Sequence, residues 1–433
     1  MTLAQAQKAE QKYLLQTYDR YPVFLTHAKG AYLYADDGSK YLDFLGGIGV
    51  MALGYAHPAI TRVIRKQAAK LVHASNLFYT EYTSLLAQKL VRLSGLDRAF
   101  FCNSGTEAWE GALKIARAVA SGKGLKKRTR FLALEDSFHG RTMGAVATTF
   151  TEKYRKPFAP LMPGVTFVKF DEVDDLKKKF DEDVCAVCIE TIQGEAGIRP
   201  VSREFLAAAR QLTQASGALL MLDEIQCGLG RTGKMFAYQH YGMKPDVTTL
   251  AKPLASGLPL GAILVTEDVA AAIRPGMHGT TFGGGPLACA VALEVLRVIE
   301  DEKILGHVRD VGGYFLQLLK QLDARHGCIV DVRGTGLMLG VELDSADLAK
   351  AVHKTMLENK IVINRTHETV LRFLPPYVVT KKQVELVVKT LDRVLSSCAS
   401  SGDAAPATGR GPRQRLPKAS GPDQPKALTT GAK

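Results

Sequence analysis

The middle of the sequence alternates short apolar, β-rich runs with amphipathic segments, and this alternation constrains the fold more than any other feature. In the segments 202–217 and 106–121, apolar residues such as Ala and Leu recur at the spacing of one helix face. Thr106 can cap the second of these helices. The seven β-rich runs are residues 98–105, 130–136, 165–170, 184–191, 218–224, 247–252 and 261–267. Short strands that alternate with helices predict an α/β domain with a mostly parallel sheet.

The length of 433 residues predicts more than one domain. After Pro286 come two long helical stretches and further strands, which indicate a smaller α+β domain. We therefore predict a large domain at 55–295 and a small domain at 296–398. Residues 399–433 contain five prolines among Gly, Ser and Ala, with almost no large apolar side chains, and this composition predicts a disordered tail.

Net charge and hydropathy limit the possible binding partners and the cellular compartment of the protein. The formal net charge is +13, and from residue 399 onward six basic and two acidic residues supply part of it. The remaining excess suits an enzyme with anionic ligands better than a nucleic-acid-binding protein. Since no apolar run is long enough to cross a bilayer and the polar start lacks a signal peptide, we expect a cytoplasmic protein without membrane contact.

The seven cysteines form no recognisable framework, because their number is odd and they are scattered. Cys185 and Cys188 make a single CxxC inside a run that we interpret as a buried strand, and no second pair could complete a zinc site. We therefore predict two core cysteines and no bound metal.

The glycine-rich segment 228–234 imitates a nucleotide-binding motif. It satisfies GxGxxG and nearly satisfies a P-loop, but Met235 stands where a P-loop needs Ser or Thr. Both motifs need a helix that begins at the glycines, and the following residues do not predict one. We interpret this segment, and the weaker motif at 333–336, as turns, which rejects the nucleotide-binding class.

Chemically useful side chains fall just after predicted strands, where doubly wound sheets gather ligands. Residues 103–106, Asn-Ser-Gly-Thr, could present free amides to a phosphate, although a plain helix cap would look the same. Asp223 ends an apolar run and needs a cationic partner, which could be a pyridinium nitrogen, a metal ion or an arginine. Lys252 follows another apolar run, where partial desolvation would lower the pKa of its amine and make it nucleophilic, although most lysines are simply solvated.

Two arginines stand beside aromatic residues. Phe138 and Arg141 place an aromatic face next to a guanidinium, which can pair bidentately with a carboxylate. Arg372 lies between apolar neighbours, and a surface position on an edge strand is the commoner reason for such a pattern. Two such arginines would suit a dicarboxylate such as glutamate.

Taken together, these motifs resemble those of the class III, or ω-amino acid, aminotransferases, which are pyridoxal-5'-phosphate (PLP) enzymes of fold type I. Eight segments match in the family's order up to about residue 397, and Asp223 and Lys252 are 29 positions apart, as in the family pattern. The segments are 41–48, 103–108, 138–142, 193–195, 223–226, 250–252, 279–284 and 371–373. The resemblance implies a large domain with a mostly parallel, seven-stranded sheet, and a small α+β domain that residues 1–54 join.

The resemblance also implies roles for the matching positions. Lys252 would carry the cofactor and move the proton between the substrate carbon and C4'. Asp223 would keep the pyridine nitrogen protonated, so that the ring acts as an electron sink. Gln226 would contact the ring 3'-oxygen, with Phe138 and Ile225 on opposite ring faces.

The resemblance further implies that two subunits share each site. The cofactor phosphate would bind Ser104, Gly105 and Thr106 of one subunit and Thr281 of the other. A homodimer would then be the minimum active unit.

The segments 251–255, 279–284 and 286–290 look most like those of acetylornithine aminotransferases. The implied ping-pong reaction moves the δ-amino group of N-acetylornithine to 2-oxoglutarate, in arginine biosynthesis. Glu195 would pair with Arg372 while the ω-amine is bound and swing away for glutamate. Arg141, helped by Tyr18, would bind the remaining carboxylate.

Alternatives to acetylornithine stay open. Ile48 counts against ornithine, since ornithine enzymes tend to carry Tyr there, but GABA enzymes share the Ile; N-succinylornithine and an aminomutase reaction also remain. Thr191, Trp109 and Gly285 depart from the family pattern. None of the three has a chemical role, although Trp109 could crowd the packing near the phosphate-binding helix.

Overall fold

The computed structural model describes the backbone of residues 1–400 and the side chains of residues 1–397. The last helix continues to Ser400, so the first two residues that we assigned to the tail are helical. The rest of the predicted tail lies outside the described residues. Within the described part of the chain, no helix is long and apolar enough to span a membrane.

The strands are short, and most have two to five residues. In chain order they are β1 (Leu25–Lys29), β2 (Tyr32–Ala35), β3 (Lys40–Asp43), β4 (Arg98–Cys102), β5 (Arg130–Leu134), β6 (Val165–Val168), β7 (Val184–Glu190), β8 (Ile192–Gln193), β9 (Arg199–Pro200), β10 (Leu219–Asp223), β11 (Val247–Leu250), β12 (Gly261–Val265), β13 (Ile329–Thr335), β14 (Met338–Leu343), β15 (Ile361–Val362), β16 (Asn364–Thr366) and β17 (Val370–Phe373).

The helices range from single turns to 20 residues. They are α1 (Leu3–Tyr13), α2 (Gly46–Gly49), α3 (Pro58–Ala68), α4 (Glu81–Ser94), α5 (Gly105–Gly122), α6 (Met143–Ala147), α7 (Glu152–Arg155), α8 (Val173–Lys179), α9 (Arg203–Ser216), α10 (Glu267–Ala270), α11 (Pro286–Asp301), α12 (Ile304–Asp323), α13 (Ala346–Glu358) and α14 (Lys381–Ser400), with 3-10 turns at Lys156–Phe158 and Ala237–His240.

The largest sheet has seven strands in the order β4-β12-β11-β10-β7-β5-β6. The pairs from β11 to β6 are parallel, whereas β12 is antiparallel to both of its neighbours, so six strands share one direction. Every residue of β7, β10, β11 and β12 is buried, which is the pattern of strands covered on both faces. The predicted α/β fold with a mostly parallel sheet is confirmed.

The sheet brings the predicted strand-end residues to one edge. Because β4, β7, β10 and β11 run in the same direction, their carboxyl ends lie together. Cys102 ends β4, Glu190 ends β7 and Asp223 ends β10. Leu250 ends β11, two residues before Lys252.

Helix α5 begins two residues earlier than a Thr106 cap would require, and that prediction was wrong. Ser104 is the N-cap: it is extended, and its hydroxyl accepts a hydrogen bond from the Glu107 amide at 3.2 Å. Gly105 is already helical, which places Thr106 inside the first turn. The Thr106 hydroxyl instead lies 2.8 Å from that of Thr142.

Two smaller sheets are built from the chain ends. In the first, of order β1-β2-β3-β15, the C-terminal strand β15 pairs in parallel with β3. The second is antiparallel, of order β13-β14-β17-β16. The interpretation of segment 333–336 as a turn was wrong for its first three residues, which belong to β13 and pair with β14; only Gly336 lies in the hairpin turn. The predicted domain boundary at 295 falls inside α11, and the division into domains stays a prediction.

The glycine-rich segment 228–234 forms consecutive turns and starts no helix, as predicted. Cys185 and Cys188 both lie in the fully buried strand β7, in agreement with their interpretation as core residues.

Candidate active site

A cavity of about 400 Å³ lies at the carboxyl edge of the large sheet. Nine of the predicted site residues line it: Ser104, Gly105, Thr106, Phe138, Arg141, Asp223, Ile225, Gln226 and Lys252. Val50, His139 and Glu190 are among the other residues that line it, and none of the three was assigned a role from the sequence. The volume is within the range of sites that bind small cofactors.

One end of the cavity is built to hold an anion. The first-turn amides of α5, at Gly105 and Thr106, have no acceptor within the helix, and the helix dipole is positive there. The Thr106 hydroxyl adds a donor. A Cβ at position 105 would lie 2.9 Å from Cδ1 of Ile225, so any larger residue would have to displace this side chain, which packs against the turn.

Asp223 is buried in the cavity wall and its carboxylate is held by three donors. Oδ2 lies 2.7 Å from Nδ1 of His139, and Oδ1 accepts hydrogen bonds from the Ile225 amide at 3.0 Å and the Thr249 hydroxyl at 3.3 Å. Because a carboxylate only accepts, Nδ1 of His139 carries the proton of the first bond. The orientation of the Asp223 carboxylate is therefore defined before any ligand binds.

Sequence reasoning missed His139, although the segment 138–142 was recognised as a motif. The signal was available, because a carboxylate at a buried strand end needs donors and a histidine in a neighbouring motif is a candidate. Only the fold shows that β5, which precedes this segment, and β10, which ends in Asp223, flank the same strand β7.

Lys252 lines the same cavity, and burial lowers the pKa of its amine. The Glu195 carboxylate opposes this shift, whereas the Arg372 guanidinium adds to it. Asp223 also opposes it, but more weakly than Glu195. The net effect raises the neutral fraction of the amine, which is the nucleophilic form.

Glu190 is a second buried carboxyl that sequence reasoning missed. Burial raises its pKa to about 7, against the effect of two hydrogen bonds that it accepts from the amides of Phe138 at 3.0 Å and Gly194 at 3.1 Å. These bonds fix the chain beside Phe138, so Glu190 positions one wall of the cavity.

Glu195 and Arg372 form an ion pair, with 2.5 Å between Oε1 and Nη1. Arg372 is only 1% exposed and lies on β17, which has a neighbour on each side, so the edge-strand alternative is excluded. Its guanidinium also donates to Oδ1 of Asn364 at 2.6 Å and to Oε1 of Gln226 at 3.3 Å. Burial raises the pKa of Glu195, but Arg372 and Lys252 outweigh it and lower the pKa to about 2.

Arg141 is exposed where it lines the cavity, in contrast to Arg372. Its guanidinium lies 3.6 Å from the ring centroid of Tyr154 and 5.5 Å from that of Phe138. The two rings hold the cation without neutralising it. A carboxylate that enters the cavity can therefore pair with Arg141.

Tyr18 does not line the cavity. It is 76% exposed, and its ring lies 5.4 Å from the Arg20 guanidinium. Tyr21 is nearer to the buried arginine: burial raises the pKa of its phenol, and the charge of Arg372 opposes the rise. The structure therefore places Tyr21, and not Tyr18, near the Glu195–Arg372 pair.

Thr281 is exposed and lies outside the main cavity. It lines a separate space of about 80 Å³, together with Phe78, Tyr79 and Phe282. These three aromatic side chains are 66% exposed or more. The contact between Thr281 and a phosphate in another subunit stays a prediction.

The cavity matches the chemistry of PLP from end to end. The start of α5 suits a phosphate, Phe138 and Ile225 present apolar surface to a ring, and Asp223 suits a protonated ring nitrogen. Lys252 supplies an amine that can bond to an aldehyde. Apart from Thr281, the residues predicted to hold the cofactor lie in this cavity.

Comparisons with known proteins agree with this chemistry. Residues 13–395 match the family model "Aminotransferase class-III". The acetylornithine aminotransferase of Methanocaldococcus jannaschii is 46% identical, over 89% of this chain and 97% of the relative. The acetylornithine aminotransferase of Neisseria meningitidis is 42% identical, over 91% of this chain and 99% of the relative.

Among solved structures, the ornithine aminotransferase of Toxoplasma gondii superimposes with a TM-score of 0.89. It is 32% identical, and the match covers 92% of this chain and 96% of that one. Relatives with different printed substrates thus share the fold, because a fold does not by itself decide the substrate. The family, in contrast, is established by the match over most of the chain: the protein belongs to the class III aminotransferases, enzymes that use PLP to exchange amino groups between amino acids and keto acids.

Proposed function

We propose that the protein transfers the δ-amino group of N-acetylornithine to 2-oxoglutarate, as a step of arginine biosynthesis. The observation that carries this proposal is the Glu195–Arg372 pair beside Lys252, in a site where Arg141 stays exposed. One guanidinium is neutralised and one is available, which suits a substrate with one carboxylate and a distal amine. The pair can open for a substrate with two carboxylates.

The residues that would hold PLP are those of the main cavity. Gly105 and Thr106 would bind its phosphate, Phe138 and Ile225 would enclose its ring, and Asp223 would pair with the ring nitrogen. When bound, the cofactor supplies an electron sink that stabilises negative charge at the carbon bearing the amino group.

Lys252 would move the proton in the central step. Since burial lowers its pKa, the amine can accept a proton from the substrate carbon and deliver it to C4' of the cofactor. Asp223, fixed by His139 and Thr249, would keep the ring nitrogen charged meanwhile.

The Glu195–Arg372 pair would sort the two substrates. While the pair is closed, Arg372 offers no net charge, and N-acetylornithine would bind through its α-carboxylate to Arg141. When Glu195 swings away, Arg372 can bind the α-carboxylate of glutamate while Arg141 takes the side-chain carboxylate. This arrangement would present a distal amine in one half-reaction and an α-amine in the other.

The names of the curated relatives favour acetylornithine over ornithine, GABA or N-succinylornithine. Ile48 is exposed and stands two residues before Val50, which lines the cavity. An apolar side chain there suits an acylated amine better than the charged α-amino group of free ornithine.

We further propose that the enzyme is a homodimer whose active sites lie at the interface. The exposed aromatic residues around Thr281 form an apolar surface of the kind that subunit interfaces cover. Thr281 would then reach the phosphate of the neighbouring site. A cytoplasmic location stays a prediction.

Initial rates with 2-oxoglutarate and a panel of amines test the substrate. The panel is N-acetylornithine, ornithine, N-succinylornithine and GABA, each over a range of concentrations. N-acetylornithine should have the highest kcat/KM. A higher value for GABA or ornithine would contradict the proposal, and isomerisation of the amine without consumption of 2-oxoglutarate would indicate an aminomutase.

A further inference from the structure

Trp109 is the only tryptophan of the sequence, and the structure gives it a contact next to the active site. It is completely buried in α5, one turn after Gly105 and Thr106, which we propose bind the cofactor phosphate. Its ring stacks on that of His139, with 4.0 Å between centroids and 5° between planes. Its Nε1–H donates to the Thr148 hydroxyl at 2.9 Å.

The His139 side chain makes one hydrogen bond among the described residues. Its Nδ1 donates to Asp223, whereas its Nε2 is buried and has no hydrogen-bond partner among the described residues. A single hydrogen bond does not by itself define the plane of a ring. The Trp109 ring lies parallel to the His139 ring and restricts its tilt. The hydrogen bond to Thr148 in turn fixes the Trp109 ring.

We propose that Trp109 is a positioning residue for the cofactor's pyridine ring, acting through His139 and Asp223. The inference rests on the proposed role of Asp223 as partner of the ring nitrogen. Trp109 holds the plane of His139, His139 holds Oδ2 of Asp223, and Asp223 is presented to the ring at a set angle. Since Trp109 also belongs to α5, it links the phosphate end of the site to the ring-nitrogen end.

This arrangement differs from the crowding that we considered for Trp109. The side chain lies in the buried core and its polar atom is satisfied. The proposed positioning role also predicts which kinetic parameters change when Trp109 is replaced. Both half-reactions use Asp223, so loss of Trp109 should lower kcat in both by a similar factor and leave the substrate KM values unchanged.

The experiment is a double-mutant cycle on PLP binding to the apoprotein. Equilibrium dialysis would measure the dissociation constant for the wild type, Trp109→Leu, His139→Leu and the double variant. Trp109→Leu should weaken binding about tenfold, which corresponds to about 1.4 kcal/mol. In the His139→Leu background the same change should have almost no further effect, because the contact through which it acts is gone.

Two variants separate positioning from packing. Trp109→Phe keeps an aromatic ring beside His139 and should bind PLP within about twofold of wild type. Phe131→Leu alters the same buried core at a residue that packs against the Arg117 guanidinium, and PLP binding should hardly change. Melting temperatures of the apoproteins would verify that each variant is folded.

Additive effects of Trp109→Leu and His139→Leu would overturn the inference, as would a loss in Phe131→Leu equal to that in Trp109→Leu. Either result would show that Trp109 contributes only to general packing, and it would leave the proposed function intact. A wild-type protein that does not bind PLP would instead refute the proposed function, and the inference with it.

Discussion

Glu195 and Arg372 are 177 positions apart in the sequence, yet Oε1 and Nη1 lie 2.5 Å apart beside the amine-bearing cavity. The pair provides the first prediction. In Glu195→Ala, Arg372 is permanently free and should capture any α-carboxylate. The N-acetylornithine half-reaction should slow at least about tenfold, which is 1.4 kcal/mol, while the glutamate half-reaction holds or speeds up. Stopped-flow absorbance of each half-reaction measures this.

Arg372→Ala provides the matched opposite, because it should damage the glutamate half-reaction most. If Glu195 were only a structural residue of its turn, Glu195→Ala would slow both half-reactions equally. Equal losses would therefore end the switch proposal without affecting the membership of the family.

The second prediction concerns cofactor attachment. Borohydride treatment of the PLP-loaded enzyme should fix the cofactor to Lys252, and peptide mapping should find the label at this lysine alone. Lys252→Ala should still bind PLP but lose turnover by about 10²–10⁴-fold or more, because the proton-transfer group is absent. A label on another lysine would refute the assignment.

The third prediction is a pH dependence. Burial lowers the pKa of Lys252, and the Glu195 carboxylate raises it. Glu195→Gln removes the opposing charge, so the pKa should fall further, and Arg372→Met removes a cation, so the pKa should rise. The measured quantity is the pH midpoint of the rate at which the apoprotein captures PLP.

A variant that removes a charge far from Lys252 is the control for these pKa shifts. Glu302→Gln removes an exposed carboxylate and should leave the midpoint in place. A midpoint that moves upward in Glu195→Gln would show that the two side chains do not interact as the structure indicates.

The fourth prediction tests shared active sites by subunit complementation. Lys252→Ala disables the site within its own subunit, whereas Thr281→Glu should repel the phosphate bound by its neighbour. Each homodimer should be weakly active. After subunit exchange in an equal mixture, about one quarter of the sites should be intact, because one site of each mixed dimer is unaltered.

The assembly itself provides the control for this experiment. Sedimentation velocity should show a dimer for both variants and for the wild type. Mixed dimers that form without any gain in activity would contradict the role of Thr281, and a monomeric wild type with full activity would contradict the shared site.

The elements of the large domain could be read from the sequence because their signals are local. Each of the seven β-rich runs became a strand of the central sheet, and 202–217 became helix α9. A strand that is buried on both faces needs a continuous apolar run, and an amphipathic helix needs apolar residues at helical spacing. Both patterns are visible in the sequence wherever the element lies in the fold. For the same reason Asp223 and Lys252 stood out as polar residues at the ends of apolar runs. The Thr106 cap was wrong because neighbouring Ser and Thr residues have similar capping preferences.

Tertiary structure decided what depends on distant contacts. His139 acquires its role from the carboxylate that it faces, Glu190 from the distant amide of Phe138, and Trp109 from the ring on which it stacks. Composition and periodicity do not identify the partner of such a residue, because the fold decides which segments meet. Burial likewise turned Arg372 from an ambiguous residue into half of an ion pair, since a buried guanidinium needs a carboxylate that only the folded chain can bring to it.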